Sequence, residues 1–174
     1  ALDHQEFLGS SLDAIAREKA GVLRPACPAV FSPQPPEAAA ALLEEAAKRG
    51  ARAVEVPGEV VGMEVRFHGL DGLQISLATR RARYELESAL AGRHQAWNIA
   101  TAVVAAEQFE VAGLPAISPA AIAAGVATCR WPGRLEAIRL AGTATTVLLD
   151  AAHNPAGCDA LVAFLAELDR PFTL

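Results

Sequence analysis

Lysine is nearly missing from this chain: only Lys19 and Lys48 occur among 174 residues. The remaining basic charge is arginine, spread thinly except for a short cluster at Arg80, Arg81 and Arg83, and the formal net charge is −5. A nucleic-acid-binding surface needs a basic stripe to offset phosphate, and no such stripe is visible. The cluster reads instead as a solvated strand edge or turn. Aromatic residues are also scarce, at 5%. That scarcity argues against a sandwich built from large side chains and favours closely packed helices against a sheet. The three cysteines, Cys27, Cys129 and Cys158, are far apart and form no C-x-x-C pair. Neither a disulfide framework nor a zinc knuckle follows from that pattern; buried free thiols in a reducing compartment do. No apolar run is long enough to span a bilayer, and the start carries no signal-peptide pattern, so the cytoplasm is the expected location.

What is present is an ample apolar fraction, 52% against 20% charged, which supports a packed core and excludes disorder. Both ends read as cut rather than natural, which makes the chain an expected internal piece of a longer protein. Ser10-Ser11-Leu12-Asp13 resembles a helix start with Ser10 as cap, and that helix is expected to run to about Ala20, with Gly21 as its stop. Cys27 to Phe31 and Ala51 to Val56 read as short strands on either side of a helix from Glu37 to Arg49. Val60 to Glu87 changes character. Met63 to Phe67 and Leu73 to Leu77 alternate like a hairpin, with Gly69-Leu70-Asp71-Gly72 as its turn. Arg93 to Val111 and Pro119 to Thr128 read as Ala-rich helices. Beyond Trp131-Pro132-Gly133 come strands near Leu135 to Leu140 and Thr145 to Leu149, then a helix from Pro155 to about Leu168. The fold class is α/β. The break at 131/132 is the expected domain boundary, because the remaining forty-odd residues are too few to bury a core alone.

Three places carry chemistry. At 100° per residue, Leu12, Ile15, Ala16 and Lys19 fall on one helix face, so Lys19 is expected to point where the core residues point. A buried ammonium is costly, so it must snorkel, pair, lose its proton or be chemically modified. A stem lying along the helix end with its ammonium in water is the plain alternative. In Asp150-Ala151-Ala152-His153-Asn154-Pro155 an apolar strand ends in a carboxylate and a helix starts at once, which places Asp150 and His153 beside a helix N-terminus that attracts anions. Simple capping by Asp150 and Asn154 explains the same residues. Asn98, in Gly92-Arg93-His94-Gln95-Ala96-Trp97-Asn98, shares a face with Thr101, Ala102 and Ala105. These small neighbours would let a flat ligand approach, while a local side-chain bond to the preceding turn accounts for Asn98 equally well.

In order along the chain, these segments resemble the folylpolyglutamate synthase and dihydrofolate synthase family of the Mur-ligase group. The resemblance rests on Leu2-Asp3-His4, Leu8-Gly9 and Ile15-Ala16-Arg17-Glu18-Lys19-Ala20-Gly21, then on the G-x-H-Q-x-x-N segment at Gly92 to Asn98. Pro132-Gly133-Arg134 and the D-x-A-H-N-P segment at Asp150 to Pro155 complete it. The resemblance implies the C-terminal part of a central ATP-binding domain in residues 1–131 and the opening of a Rossmann-like ligase domain in 132–174. It implies ATP and Mg²⁺ as cofactors and folate and L-glutamate as substrates, on a monomeric parent enzyme with no nucleic-acid or membrane partner. His4 would ligate Mg²⁺, and Lys19 would carry a carbamate that also binds it. Asn98, Arg134 and Asp150 would contact ATP, and His153 would lie near the phosphates or the incoming amino acid. The implied reaction phosphorylates a folate carboxylate and lets the glutamate amine attack the acyl phosphate, with dihydropteroate as another possible acceptor.

The chain departs from that family in one respect. No G-x-x-x-x-G-K-[ST] loop occurs, since Lys48 is followed by Arg49. The resemblance therefore implies that the phosphate loop precedes position 1 and that this piece alone is inactive. A peptidoglycan-precursor amino-acid ligase and a non-catalytic nucleotide-binding piece are the competing readings.

Overall fold

The computed structural model describes residues 11–168 and 170–173, and within these the chain divides into two compact units. The first comprises 11–61, 79–81 and 100–117; the second comprises 62–78, 82–99 and 118–173.

The first unit opens with helix α1, Leu12–Lys19. Its cap is Ser11, whose hydroxyl accepts from Ala14 N at 3.1 Å, so the helix starts one residue later than a Ser10 cap implies; Ser10 lies outside the described residues. Strand β1, Pro28–Phe31, helix α2, Pro36–Arg49, and strand β2, Arg52–Glu55, form a β-α-β crossover whose strands pair in parallel, Ala29 opposite Ala53 and Val30 opposite Val54. Helices α1 and α2 pack through Ala16, Ala38 and Ala41, with Leu12 and Leu42 at the margins. Alanines at the seam let the two backbones approach closely. Around that seam Arg17 bridges both helices, bonding Asp13 at 2.9 and 3.0 Å, Glu44 at 2.6 Å and Glu45 at 3.2 Å. Lys48 pairs with Glu44 at 2.8 Å and Glu45 at 3.0 Å. The Lys48 ammonium, joined by Arg17, pushes the Glu44 carboxyl down to about 2. Glu44 and Lys48 are exposed, Asp13 and Arg17 half-buried and Glu45 largely covered, so solvent screens most of the network and it sets helix register more than stability.

The second unit is organised on a three-stranded sheet in the order β3-β4-β5: Val60–Phe67, Leu73–Thr79 and Arg83–Ser88. Strands β3 and β4 keep the expected turn at Gly69–Asp71. The third strand extends the expected hairpin, because Arg83 to Ser88 also alternates, burying Tyr84, Leu86 and Ser88 against Leu73, Ile75 and Leu77. Arg80, Arg81 and Arg83 are exposed at the β4–β5 turn and strand start, a solvated cluster. Helix α3, Gln95–Val111, gives this unit only its first turn, in which Ala96 and Ile99 are buried. Helix α4, Pro119–Thr128, packs on β5. Strands β6, Glu136–Arg139, and β7, Thr146–Leu149, form a separate antiparallel pair, followed by helix α5, Pro155–Leu168. Phe164 of α5 enters a cluster with Ala91, Leu135, Phe67 and Leu148, its ring edge-on to Phe67 at 5.7 Å. Arg93 lies over Phe67 at 5.8 Å and bonds Glu167 at 2.7 Å, fastening the end of α5.

The cysteines depart from expectation. Cys27, Cys129 and Cys158 are all exposed, because each sits at an element boundary or an outward helical position rather than on a core face. No helix among the described residues is long and apolar enough to cross a membrane.

Gly72 is the tightest backbone point. Its φ is +107°, and a Cβ there would collide with the carbonyl oxygen of Ser88. Gly72→Ala is expected to cost at least about 3 kcal/mol in urea denaturation, since it adds backbone strain to a clash that no side chain can relieve. Gly125→Ala, on the open side of α4 with nothing within 4 Å, is expected to stabilise by about 0.5–1 kcal/mol in the same measurement.

Candidate functional site

The second unit brings two of the sequence-derived site residues, Arg134 and Asp150, onto two neighbouring segments. β7 ends at Leu149, and the next residue, Asp150, turns its carboxylate back onto the backbone. Oδ2 accepts from Leu135 N at 2.9 Å and Oδ1 from Ala152 N at 2.8 Å. Ala151 N donates to Gly133 O at 2.8 Å. The loop 132–135 is therefore fastened to the residues after β7 by two hydrogen bonds, Leu135 N to Asp150 and Ala151 N to Gly133 O, while the Ala152 bond closes the turn itself. Gly133 N in turn donates to Glu136 Oε2 at 2.8 Å. Leu135 is 3% exposed and adopts φ +47°, a left-handed conformation that costs a non-glycine residue of order 1–2 kcal/mol. Its burial with Ala91 and Phe164 and the bond to Asp150 hold it there.

Between these anchors stands Arg134. Its backbone N–H reaches Trp131 O at 3.3 Å, and its guanidinium sits 5.9 Å from the Trp131 ring centroid. Both side chains are exposed. His94 approaches from the start of α3 across Gly92, where a Cβ would fall 2.7 Å from His94 Cε1 and 2.7 Å from Leu135 Cδ1. Only glycine, here at φ +90°, lets the imidazole and the loop leucine share that space. Loss of hydration pushes the His94 pKa below its ordinary value; Asp150 opposes that shift and Arg134 adds to it. His94, Arg134 and Asp150 thus form one electrostatically coupled group. Sequence reasoning missed His94 and Trp131 as members of it. The Gly92-x-His94 spacing was visible, but the meeting of Gly92 and Leu135 depends on pairing across the fold.

The other expected residues are placed less favourably. Asn98 is exposed on α3, and its Nδ2 donates to Gln95 Oε1 at 2.9 Å, the local arrangement that competes with a ligand role. Asn154 caps α5: its Oδ1 accepts from Gly157 N at 2.9 Å, and its carbonyl accepts from Cys158 N at 3.0 Å. His153 is exposed with Nδ1 2.9 Å from Ala151 O. Lys19 is exposed, which corrects the expectation of an inward-facing amine. It is the last residue of α1, where the chain tightens into a 3₁₀ turn at Ala20–Val22, so the interior is filled by Ile15, Ala16 and Ala20 instead. The plain alternative of an ammonium in water at a helix C-terminus describes it. The Lys19 amine makes no hydrogen bond or ion pair with another described residue, and no cluster of three His, Cys, Asp or Glu suited to a metal occurs among the described residues. His4 lies outside the described residues.

No family model matches the chain. The folylpolyglutamate synthase of Lacticaseibacillus casei is 31% identical over 176 residues, covering 100% of this chain and 40% of that protein. The dihydrofolate synthase/folylpolyglutamate synthase of Mycobacterium tuberculosis is 34% identical over 189 residues, covering 99% of this chain and 36% of that protein. Among solved structures, an FPGS–AMPPCP–folate complex superposes with a TM-score of 0.87 at 32% identity, across 98% of this chain and 41% of the other. The chain spans about two fifths of the length of the curated relatives it matches.

The geometry sets two expected outcomes. Because the folded His94 pKa lies below its unfolded value near 6.5, the unfolded state binds more protons. The stability linked to His94 is then complete above about pH 6.5 and falls away as pH drops through the folded pKa. An NMR titration of His94 is expected to give a midpoint below 6.5, and His94→Gln is expected to flatten the acid side of the stability profile. Asp150→Ala leaves the Leu135 and Ala152 N–H groups without their acceptor, and a cost of about 1–3 kcal/mol in thermal unfolding is expected.

Proposed function

From homology that runs the length of the chain to the folylpolyglutamate synthase/dihydrofolate synthase family, and from the Mur-ligase-type α/β fold shared with it, we propose that this chain is the nucleotide-contacting part of an ATP-dependent ligase. The ligase joins L-glutamate to a folate, with dihydropteroate as another acceptor. The observation that carries this reading is the Arg134–Asp150–His94 group, built on the segments that resemble the family's motifs. A guanidinium with its N–H fork in solvent, beside a carboxylate held by two backbone bonds, suits the mixed chemistry of a nucleotide. Arg134 would take phosphate oxygens and Asp150 a sugar or base donor. Asn98 joins them by swinging its amide from Gln95.

In the proposed reaction a folate carboxylate oxygen takes the terminal phosphoryl group of ATP, releasing ADP. The glutamate amine then attacks the acyl carbon and phosphate leaves. Arg134 offsets charge on the phosphoryl oxygens, and His153, at the head of α5, lies near the phosphates or the incoming amine. Mg²⁺ would supply further charge neutralisation. The described residues do not by themselves make a site for it, so His4 and Lys19, the latter as a carbamate, are proposed only as this chain's share of a metal site.

The turn Trp131-Pro132-Gly133 is proposed to separate a central ATP-binding part, 1–131, from the opening of a Rossmann-like part, 132–174. In support, among the described residues β6 and β7 pair only with each other and α5 follows them, although residues 62–78, 82–99 and 118–131 share a compact unit with these elements. A cytoplasmic, monomeric parent acting on small molecules, with no nucleic-acid or membrane partner, completes the proposal.

With ATP, glutamate and a folate supplied, the 174-residue chain is expected to give no polyglutamate product by mass spectrometry, because it has no phosphate loop; turnover would refute that. Arg134→Ala is expected to weaken ATP binding about 10- to 100-fold by calorimetry, the usual loss for a hydrogen bond to a charged group.

A further inference from the structure

Arg134 is the one strongly cationic side chain of the site, and its backbone is pinned on every side. Its own N–H bonds Trp131 O, the carbonyl of Gly133 accepts from Ala151, and the N–H of Leu135 bonds Asp150. Gly133 at φ +69° and Leu135 at φ +47° flank it in left-handed conformations, which fixes the direction in which Arg134 leaves the loop. What remains free is the side chain. No hydrogen bond or ion pair joins its guanidinium to another described residue, and the Asp150 oxygens are turned to the backbone N–H groups of Leu135 and Ala152. The contact that restrains it is the indole of Trp131, which is 60% exposed although it is large and apolar.

We propose that Trp131 is a positioning residue for Arg134, its indole face holding the guanidinium so that all the N–H donors stay available to the phosphate chain of a nucleotide. An arginine side chain otherwise loses considerable rotamer freedom when it clamps an anion, and a cation–π contact lowers that loss without consuming a donor. An acidic partner would hold Arg134 more firmly, but it would occupy the fork and cancel the charge the ligand needs. The indole restrains and leaves both intact. The three-residue spacing across a closed turn makes the arrangement local, so it does not depend on distant packing. The inference rests on the ATP-binding reading above.

A double-mutant cycle on the full chain tests it, with ATP and inorganic tripolyphosphate as probes in calorimetry. Trp131→Leu is expected to weaken both probes about two- to fivefold, the range of an exposed cation–π contact. Trp131→Phe, which keeps an aromatic face, is expected to restore binding to within about twofold of the parent. In an Arg134→Ala background Trp131→Leu is expected to do nothing further. The Arg134 side-chain NMR resonances should be ring-shifted in the parent and in Trp131→Phe, and lose that shift in Trp131→Leu. Because Trp131 is mostly exposed, the leucine variant should melt with the parent, and the phenylalanine variant separates positioning from any loss of fold. If the parent binds ATP but the two substitutions act additively, or Trp131→Phe fails to restore affinity, the positioning role is overturned while the nucleotide reading stands. If the parent binds neither probe, the nucleotide reading itself fails and takes this role with it.

Discussion

The second unit depends on what one carboxylate does with its lone pairs. Asp150 directs one oxygen to Leu135 N and the other to Ala152 N. By doing so it joins the end of β7, the turn into α5 and the 132–135 loop into one piece. Charge-assisted bonds from backbone N–H groups are stronger than neutral ones, and here they also place polar groups that a turn of this shape leaves without helix or sheet partners. The attachment steadies Arg134 and the buried Leu135, together with the Ala151–Gly133 hydrogen bond and the packing of Leu135 on Ala91 and Phe164. Remove it and the loop keeps those two contacts but loses its tie to the turn into α5.

The ion-pair network of the first unit works on a different principle. Arg17 bridges Asp13, Glu44 and Glu45 across two helices, yet every group in it except Glu45 keeps substantial contact with solvent. Its value is geometric: the alanine seam of Ala16, Ala38 and Ala41 has little shape to specify how the helices slide, and directional charge pairs supply that specification.

Much of the fold was legible because its signals are local. Helices α2, α4 and α5 begin and end close to where Pro36, Pro119 and Pro155 and the periodic apolar residues imply. The hairpin turn at Gly69–Asp71 follows from its glycines. Where reading failed, a non-local term decided. Lys19 shares a helical face with Ile15 and Ala16, but it is the last residue of a short helix, and the 3₁₀ turn after it brings Ala20 inward and leaves the amine outside. The cysteines are small and apolar enough for a core, yet their positions at element edges expose them. Arg134 and Asp150 were recognisable as candidates by motif, and the structure sets their segments together, whereas Asn98, a candidate on the same ground, bonds locally to Gln95. Their neighbours His94 and Trp131 were not, because imidazole over glycine and guanidinium over indole are meetings that no linear spacing announces.

Leu135 carries a last consequence. Its backbone occupies a region where glycine or asparagine would sit at ease, while its side chain fills a hydrophobic recess beside Phe164. A residue that relaxes the main chain would empty the recess, and one that fills the recess better must bear the same twist. The loop therefore cannot be loosened or tightened by exchange at that one position without a compensating change in Ala91, Phe164 or the Asp150 turn. Any retuning of how this segment meets its ligand has to proceed through paired replacements.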